Sequence, residues 1–199
     1  MFSSKARLSR ELGRVKSFSK PKLSLRQYMT PPAIASDLLW TAFMNGDLEG
    51  KTVFDLGVGT GMLAIGASLL GAKVTGFDVD SVAISETILN AKELGVSLLV
   101  FEEDISGVSG SCDTVIMNPP FMVKGGVNDK VFLEKAFTLA SRVYSVHTAQ
   151  TRDWVSKFAL SNGFSPVLIS SHDFLLPKEF AHQSKERGLQ KVDLWFFSK

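Results

Sequence analysis

Apolar residues recur along this chain in two alternating rhythms. Short runs of branched and aromatic residues give way to stretches with apolar positions three and four apart, the pattern of strands alternating with helices. The first helix of the body is predicted over 31–45, with Thr30 as N-cap, Pro31 and Pro32 in its first turn and Gly46 past its end. Strands follow over 51–56 and 73–77, separated by a glycine-rich turn and a helix over 61–70. A helix over 81–94 starts at a Ser81 cap, with Asp80 also placed to cap it. Further strands are predicted over 96–101, 113–117, 142–146, 166–170 and 191–197, and helices over 131–140 and 149–161. Such alternation implies βαβ units: an α/β fold whose mostly parallel sheet carries helices on both faces.

Composition narrows the class. The 199 residues include 45% hydrophobic and 21% charged, with 15 Phe and 3 Trp, enough apolar surface to fill a core and to exclude disorder as the main state. Cys112 is the single cysteine, so no internal disulfide can form, and no Cys/His cluster has metal-ligand spacing. No apolar stretch approaches the roughly 18 residues needed to span a bilayer, and the N-terminus lacks a signal-peptide core. The expectation is a soluble cytoplasmic protein with no bound metal and no membrane partner.

Charge changes the picture once it is resolved along the chain. The net of +2 is a cancellation. Residues 1–28 hold eight basic groups and one acid (+7), whereas 29–199 hold 14 basic and 19 acidic (−5). This predicts a basic N-terminal helical arm over 1–28, suited to a polyanion, ahead of a single domain over 29–199. Leu8, Leu12 and Val15 have helical spacing, so part of the arm is expected to pack on the domain.

In such sheets ligands bind beyond the carboxyl ends of the strands. The first strand leads into Asp55-Leu-Gly57-Val-Gly59-Thr60-Gly61. Its glycines permit a tight turn and a close approach to a ligand, but the third comes one residue too early for a dinucleotide fingerprint. No Gly-Lys-Ser/Thr follows, so it is not a phosphate-binding P-loop either. Asp55 inside the turn would repel a pyrophosphate and suits a ligand bearing an amine or another cation. The second strand leads into Asp78-Val79-Asp80, where a carboxylate can take two ribose hydroxyls. Beyond the third lies Asp104-Ile105, an acceptor for an adenine amine beside an apolar contact. Beyond the fourth comes Asn118-Pro119-Pro120-Phe121. The prolines stiffen the backbone and remove two donors, so the Asn118 amide oxygen and the Pro119 carbonyl can face one amino group, with Phe121 as a stacking face for a flat base. His147 follows a strand and could act as a base, contact RNA or fill a structural place.

The order Asp55, Gly57-x-Gly59-x-Gly61, Asp78, Asp104 and Asn118-Pro-Pro-Phe121 resembles class I S-adenosylmethionine-dependent methyltransferases that modify amines. Leu25-Arg-Gln27-Tyr28-x-Thr30-Pro31, Thr114-Val-Ile-Met-Asn118-Pro-Pro-Phe121, Val143-Tyr-Ser-x-His147 and Val192-Asp-Leu194 resemble one narrower family. These are the small archaeal and eukaryotic N6-adenine methyltransferases of small-subunit ribosomal RNA, and the likeness spans nearly the whole chain. It implies a Rossmann-like sheet of seven strands. It also implies that Asp55, Gly57, Gly59, Thr60 and Gly61 hold the methionine part of S-adenosyl-L-methionine. Asp78 with Val79 would take its ribose, and Asp104 with Ile105 its adenine. Gln27 and Thr30 would close over it. Asn118 and Pro119, followed by Pro120 and Phe121, would hold the target base.

The resemblance further implies an RNA substrate and, from the eukaryotic members, a small zinc-binding activator; the apolar edge strand 96–101 would receive it. Glutamine-N5 protein methylation and DNA adenine methylation would use the same Asn-Pro-Pro segment and remain alternatives. With no room for a separate recognition domain, specificity is expected from the arm, from segments 122–129 and 177–189, or from a partner.

Overall fold

Branched and aromatic runs build a seven-stranded sheet in the computed structural model, which describes residues 4–121, 128–175 and 189–199. The helices are α1 (Lys5–Leu12), α2 (Pro32–Met44), α3 (Met62–Leu69), α4 (Ser81–Leu94), α5 (Asn128–Leu139) and α6 (Arg152–Ser161). The strands are β1 (Thr52–Leu56), β2 (Lys73–Asp78), β3 (Leu99–Glu102), β4 (Thr114–Met117), β5 (Arg142–Thr148), β6 (Ser165–Leu175) and β7 (Leu189–Ser198). Their order across the sheet is β3-β2-β1-β4-β5-β7-β6. The first five strands run parallel, and β7 is antiparallel to both β5 and β6. Chain order reverses between β1 and β4, which puts the ligand crevice above their carboxyl ends.

Period-two alternation sends side chains to two cores. Ile116, Tyr144, Val146, Val192 and Leu194 meet α1, α2 and α3 on one face. Val115, Met117, Val143 and Phe197 meet α5 and α6 on the other. Leu8 and Leu12 of α1 are fully buried, with Val15 just beyond. An added Cβ at Gly66 on α3 would collide with Leu39 of α2 and press on Leu12 at 3.3 Å, so these three helices meet through that glycine.

The basic segment lies along the acidic body. Lys5 pairs with Asp37, Lys16 with Glu93 at 2.6 Å and Lys22 with Asp80 at 2.8 Å, while Arg14 pairs within the segment with Glu11 at 2.7 Å. The exposed pairs among these add little stability, while Asp80 in the Lys22 pair is buried. They do spend much of the segment's charge on the protein itself.

Several boundaries differ from expectation for identifiable reasons. Pro31, not Thr30, holds the N-cap position of α2, and the Thr30 hydroxyl is engaged elsewhere. Asp80, not Ser81, caps α4 by accepting from the Val82 N–H at 3.0 Å. β3 begins at Leu99 rather than 96, because Gly95 in the left-handed region ends α4 and the Val96 N–H turns back to the Ala91 carbonyl. A 3-10 turn at Ala149–Thr151 precedes α6, and β5, β6 and β7 all run longer than their apolar runs. No helix among the described residues is long and apolar enough to cross a membrane.

Candidate active site

The β1–α3 turn bends back on itself, which requires Gly57, Gly59 and Gly61 at φ of +78°, +56° and +87°. A side chain at Gly57 would meet the Phe132 ring at 3.3 Å, and one at Gly59 the Phe18 ring at 3.1 Å. The turn therefore lies between an aromatic of α5 and one of the basic segment. It floors a cleft of about 280 Å³ at the carboxyl ends of β1, β2 and β4.

Twelve of the expected residues line this cleft: Gln27, Thr30, Asp55, Gly57, Gly59, Thr60, Asp78, Val79, Asp104, Ile105, Asn118 and Pro120. Gly61 caps α3 behind the turn, and Pro119 and Phe121 lie outside the lining. Segments 122–127 and 177–188, expected to shape substrate recognition, fall outside the described residues.

Asp55, next to last in β1, is 1% exposed, and neither carboxylate oxygen makes a well-formed hydrogen bond among the described residues. Burial pushes its carboxyl up to about 8; the nearby Ala64 N–H offsets part of this, and the charge of Asp78 adds to it. Burial also raises Asp78, against the N–H groups of Gly59 and Asp80, which donate to it at 2.9 and 3.0 Å. Each Asp78 oxygen keeps a second acceptor site. Two desolvated carboxyls in one cleft favour a cation between them. Asp104, at the rim, accepts from the Ser106 N–H at 2.8 Å and hydroxyl at 2.5 Å, and these bonds hold its carboxyl below the usual range. Arg26 is the only cationic side chain in the lining among the described residues, and the only non-glycine among them at positive φ, +52°.

Gln27 reaches the cleft but spends its polar atoms on structure. Its Nε2 donates to Asp80 at 2.7 Å and its Oε1 accepts the Lys22 N–H at 2.8 Å. With the Lys22–Asp80 pair, this straps the segment onto the cap of α4.

The target side of the cleft is built on Asn118. Its Nδ2 donates to the Thr30 hydroxyl at 2.8 Å, which leaves Oδ1 buried without a partner. A buried amide oxygen left open is costly until a donor fills it. The neighbouring Pro119 carbonyl accepts from the Tyr28 hydroxyl at 3.3 Å, and that hydroxyl accepts the Phe121 N–H at 3.0 Å. Tyr28 was visible only as a letter in the Gln27-Tyr28-x-Thr30 string; its clamp on the turn arises from tertiary placement. Phe121 is 5% exposed, with its ring 4.8 Å from Tyr28 and 5.7 Å from Phe174, so an aromatic cluster already covers it. Phe18, which carries part of the resemblance but was given no role, and Phe132, unremarked in the sequence, are the aromatic rings in the cleft lining besides Tyr28 among the described residues.

His147 is fully buried, its Nε2 2.8 Å from the Ser145 hydroxyl. It does not line the cleft, which leaves it no direct contact with a ligand there.

Residues 32–144 match the methyltransferase small domain family. The rRNA N(6)-adenosine-methyltransferase of Drosophila melanogaster is 37% identical over 96% of this chain and 94% of its own length. That of Danio rerio is 36% identical over 94% and 95%. A crystal structure from Pyrococcus horikoshii, provisionally described as an RNA methyltransferase, superposes with a TM-score of 0.88 at 39% identity and covers 100% of this chain and 98% of its own.

Proposed function

The chain belongs to the methyltransferase small domain family, and from that premise we propose that it transfers a methyl group from S-adenosyl-L-methionine to N6 of an adenine in RNA, in the small ribosomal subunit. One observation carries the reading. The buried Asn118 Oδ1, unpartnered among the described residues, belongs to the same cleft lining as two desolvated carboxyls, Asp55 and Asp78, and the next residue, Pro119, has its carbonyl held by Tyr28.

The cleft suits the cofactor on its own chemistry. Asp55, with both oxygens open, fits the methionine ammonium; Asp78 has acceptor capacity for ribose hydroxyls; Asp104 and Ile105 fit an adenine edge and face. When bound, the cofactor supplies a methyl on a sulfonium, electrophilic enough that no strong base is needed to begin. Asn118 Oδ1 and the Pro119 carbonyl accept the two hydrogens of the adenine amine. This favours a pyramidal nitrogen and stabilises the positive charge that develops as it bonds to the methyl. Thr30 fixes the Asn118 amide, and Tyr28 fixes the Pro119 carbonyl. Alignment of nitrogen, methyl and sulfur supplies much of the remaining rate. The extra proton then leaves to water. A base must be unstacked to enter, so the target lies in a single-stranded or loosely paired stretch. With Phe121 buried, a base entering the cleft would be flanked by other apolar residues of its lining, Phe132 and Pro120 among them.

The partner reading rests on the resemblance and on the sheet edge. Among the described residues β3 pairs only with β2, and Leu99 and Phe101 on it are 62% and 51% exposed. An uncovered apolar edge of this kind suits an added strand from a small zinc-binding activator. The test of the function incubates the protein with labelled methyl donor and, separately, rRNA, tRNA, DNA and release factor. Label in rRNA as N6-methyladenosine is the expected result; label on a glutamine or in DNA would refute the reading.

A further inference from the structure

Outside the cleft lining, a chain of buried polar side chains takes no part in the steps above. His147 on β5 and Asp129 in the first turn of α5 are both fully buried. His147 Nδ1 lies 3.4 Å from Asp129 Oδ2, and its Nε2 faces the Ser145 hydroxyl at 2.8 Å. Neither Asp129 oxygen, nor Nδ1, makes a well-formed hydrogen bond among the described residues. Across the β5–β7 ladder His147 stands opposite Asp193. Arg152 holds Asp193 at 2.7 and 2.8 Å, and Ser171 donates to it at 2.6 Å.

Two ionisable groups on separate elements, both out of water, add little to stability; apolar residues would fill the space as well. What a buried pair does supply is a fixed relative position, because each group is costly without the other. The position at stake adjoins the Asn118–Phe121 turn. That turn leaves β4, which pairs with β5 through Met117 and Ser145. Asp129 also acts on Tyr28: burial raises the phenol well above its usual range, and the Asp129 carboxylate charge adds to it. Tyr28 in turn holds the Phe121 N–H and the Pro119 carbonyl.

We propose that Asp129 and His147 are positioning residues for methyl transfer: the buried pair locks the first turn of α5 against β5, and β5, paired with β4 through Ser145 and Met117, holds in place the Asn118–Phe121 turn that receives the target amine. The proposal rests on the functional reading above and deepens it. It places neither residue in contact with cofactor or base.

The test uses the full chain with Asp129→Asn and, separately, His147→Gln, whose amide can still bond to Ser145. Three quantities are measured: kcat and KM on RNA at saturating cofactor, cofactor affinity by calorimetry, and thermal stability. Asp129→Asn is expected to lower kcat about tenfold to a hundredfold, the scale of a displaced reacting group. Cofactor affinity should stay within about twofold, because the pair does not reach that end of the cleft. His147→Gln should lose less than Asp129→Asn. A role confined to packing would lower thermal stability and leave kcat per folded molecule unchanged, which overturns the proposal. Parallel loss of kcat and cofactor affinity also overturns it. Should Asp129→Asn fail to fold, His147→Gln decides by the same readouts. An active wild type with unaltered variants sinks this proposal alone. A wild type that binds cofactor but methylates no RNA sinks the functional reading and this proposal with it.

Discussion

Replacing Asp55 with Asn separates the cost of a buried carboxyl from its use. The carboxyl lies near the end of β1 with no well-formed hydrogen bond among the described residues, and burial lifts it to about 8 from 3.8. Between those two values the folded protein keeps a proton that the unfolded chain has lost. Stability of the cofactor-free protein should therefore fall as pH rises from about 4 to about 8, by up to ~1.4 kcal/mol per pH unit from this group. At pH 7 the group's contribution is a penalty of about 4 kcal/mol relative to pH below 4. Asn has nearly the same shape and no proton to lose, so the Asp55→Asn protein escapes this dependence. Chemical denaturation of both proteins at pH 5 and pH 8 measures it: the variant gains on the wild type as pH rises. With cofactor the order reverses. A methionine ammonium beside Asp55 favours the carboxylate, so binding should release a proton near pH 7, seen by calorimetry in buffers of different ionisation enthalpy. The variant should bind more weakly by about 1.5–3 kcal/mol, the range for a charged hydrogen bond. A wild-type-minus-variant stability difference that does not change with pH, or cofactor binding without proton release, would refute the reasoning.

Three further perturbations address other parts of the site and fold. Asn118→Ala should lower kcat by about 10²–10³, as loss of a transition-state hydrogen-bonding group does, while cofactor Kd measured by calorimetry stays near wild type. Gly57→Ala places a Cβ 3.3 Å from Phe132 at a φ of +78°. It should weaken cofactor binding and cost about 1 kcal/mol of stability in denaturant titration. Leu8→Ala should destabilise the whole protein by about 2–5 kcal/mol in a single unfolding transition, because α1 is part of the main core. A separate early transition would instead mark the first 28 residues as an independent arm.

What the sequence discloses and what it conceals divide along physical lines. Strand–helix alternation is a local signal, and it located the described strands and helices of the sheet to within about three residues at most boundaries, although β6 runs five residues past its expected end. Asp55, Asp78, Asp104 and Asn118 were legible because each lies at or just past the carboxyl end of a strand, and parallel strands bring those ends to one edge. The roles of Thr30, Tyr28 and Gln27 were less legible because they depend on partners far along the chain. Thr30 is spent on Asn118, Tyr28 on Pro119 and Phe121, and Gln27 on Asp80. Phe121 read as a stacking face for a base because nothing local announces that Tyr28 and Phe174 cover it. The charge of the first 28 residues was counted correctly, but Asp37, Glu93 and Asp80, which receive Lys5, Lys16 and Lys22, lie elsewhere in the chain. The Asp129–His147 pair joins α5 to β5, and spacing alone does not announce it.

The central claim is that Asn118 and the Pro119 carbonyl present the N6 amine of an RNA adenine for methylation. The most direct measurement digests small-subunit rRNA to nucleosides after incubation with S-adenosyl-L-methionine and either the wild type or Asn118→Ala, and quantifies methylated adenosines by mass spectrometry. The account predicts N6-methyladenosine at stoichiometry approaching one site per RNA with the wild type, and an initial rate about 10²–10³ lower with the variant, although both bind cofactor. Methylation on a ring nitrogen, or undiminished N6-methyladenosine from Asn118→Ala, would contradict it.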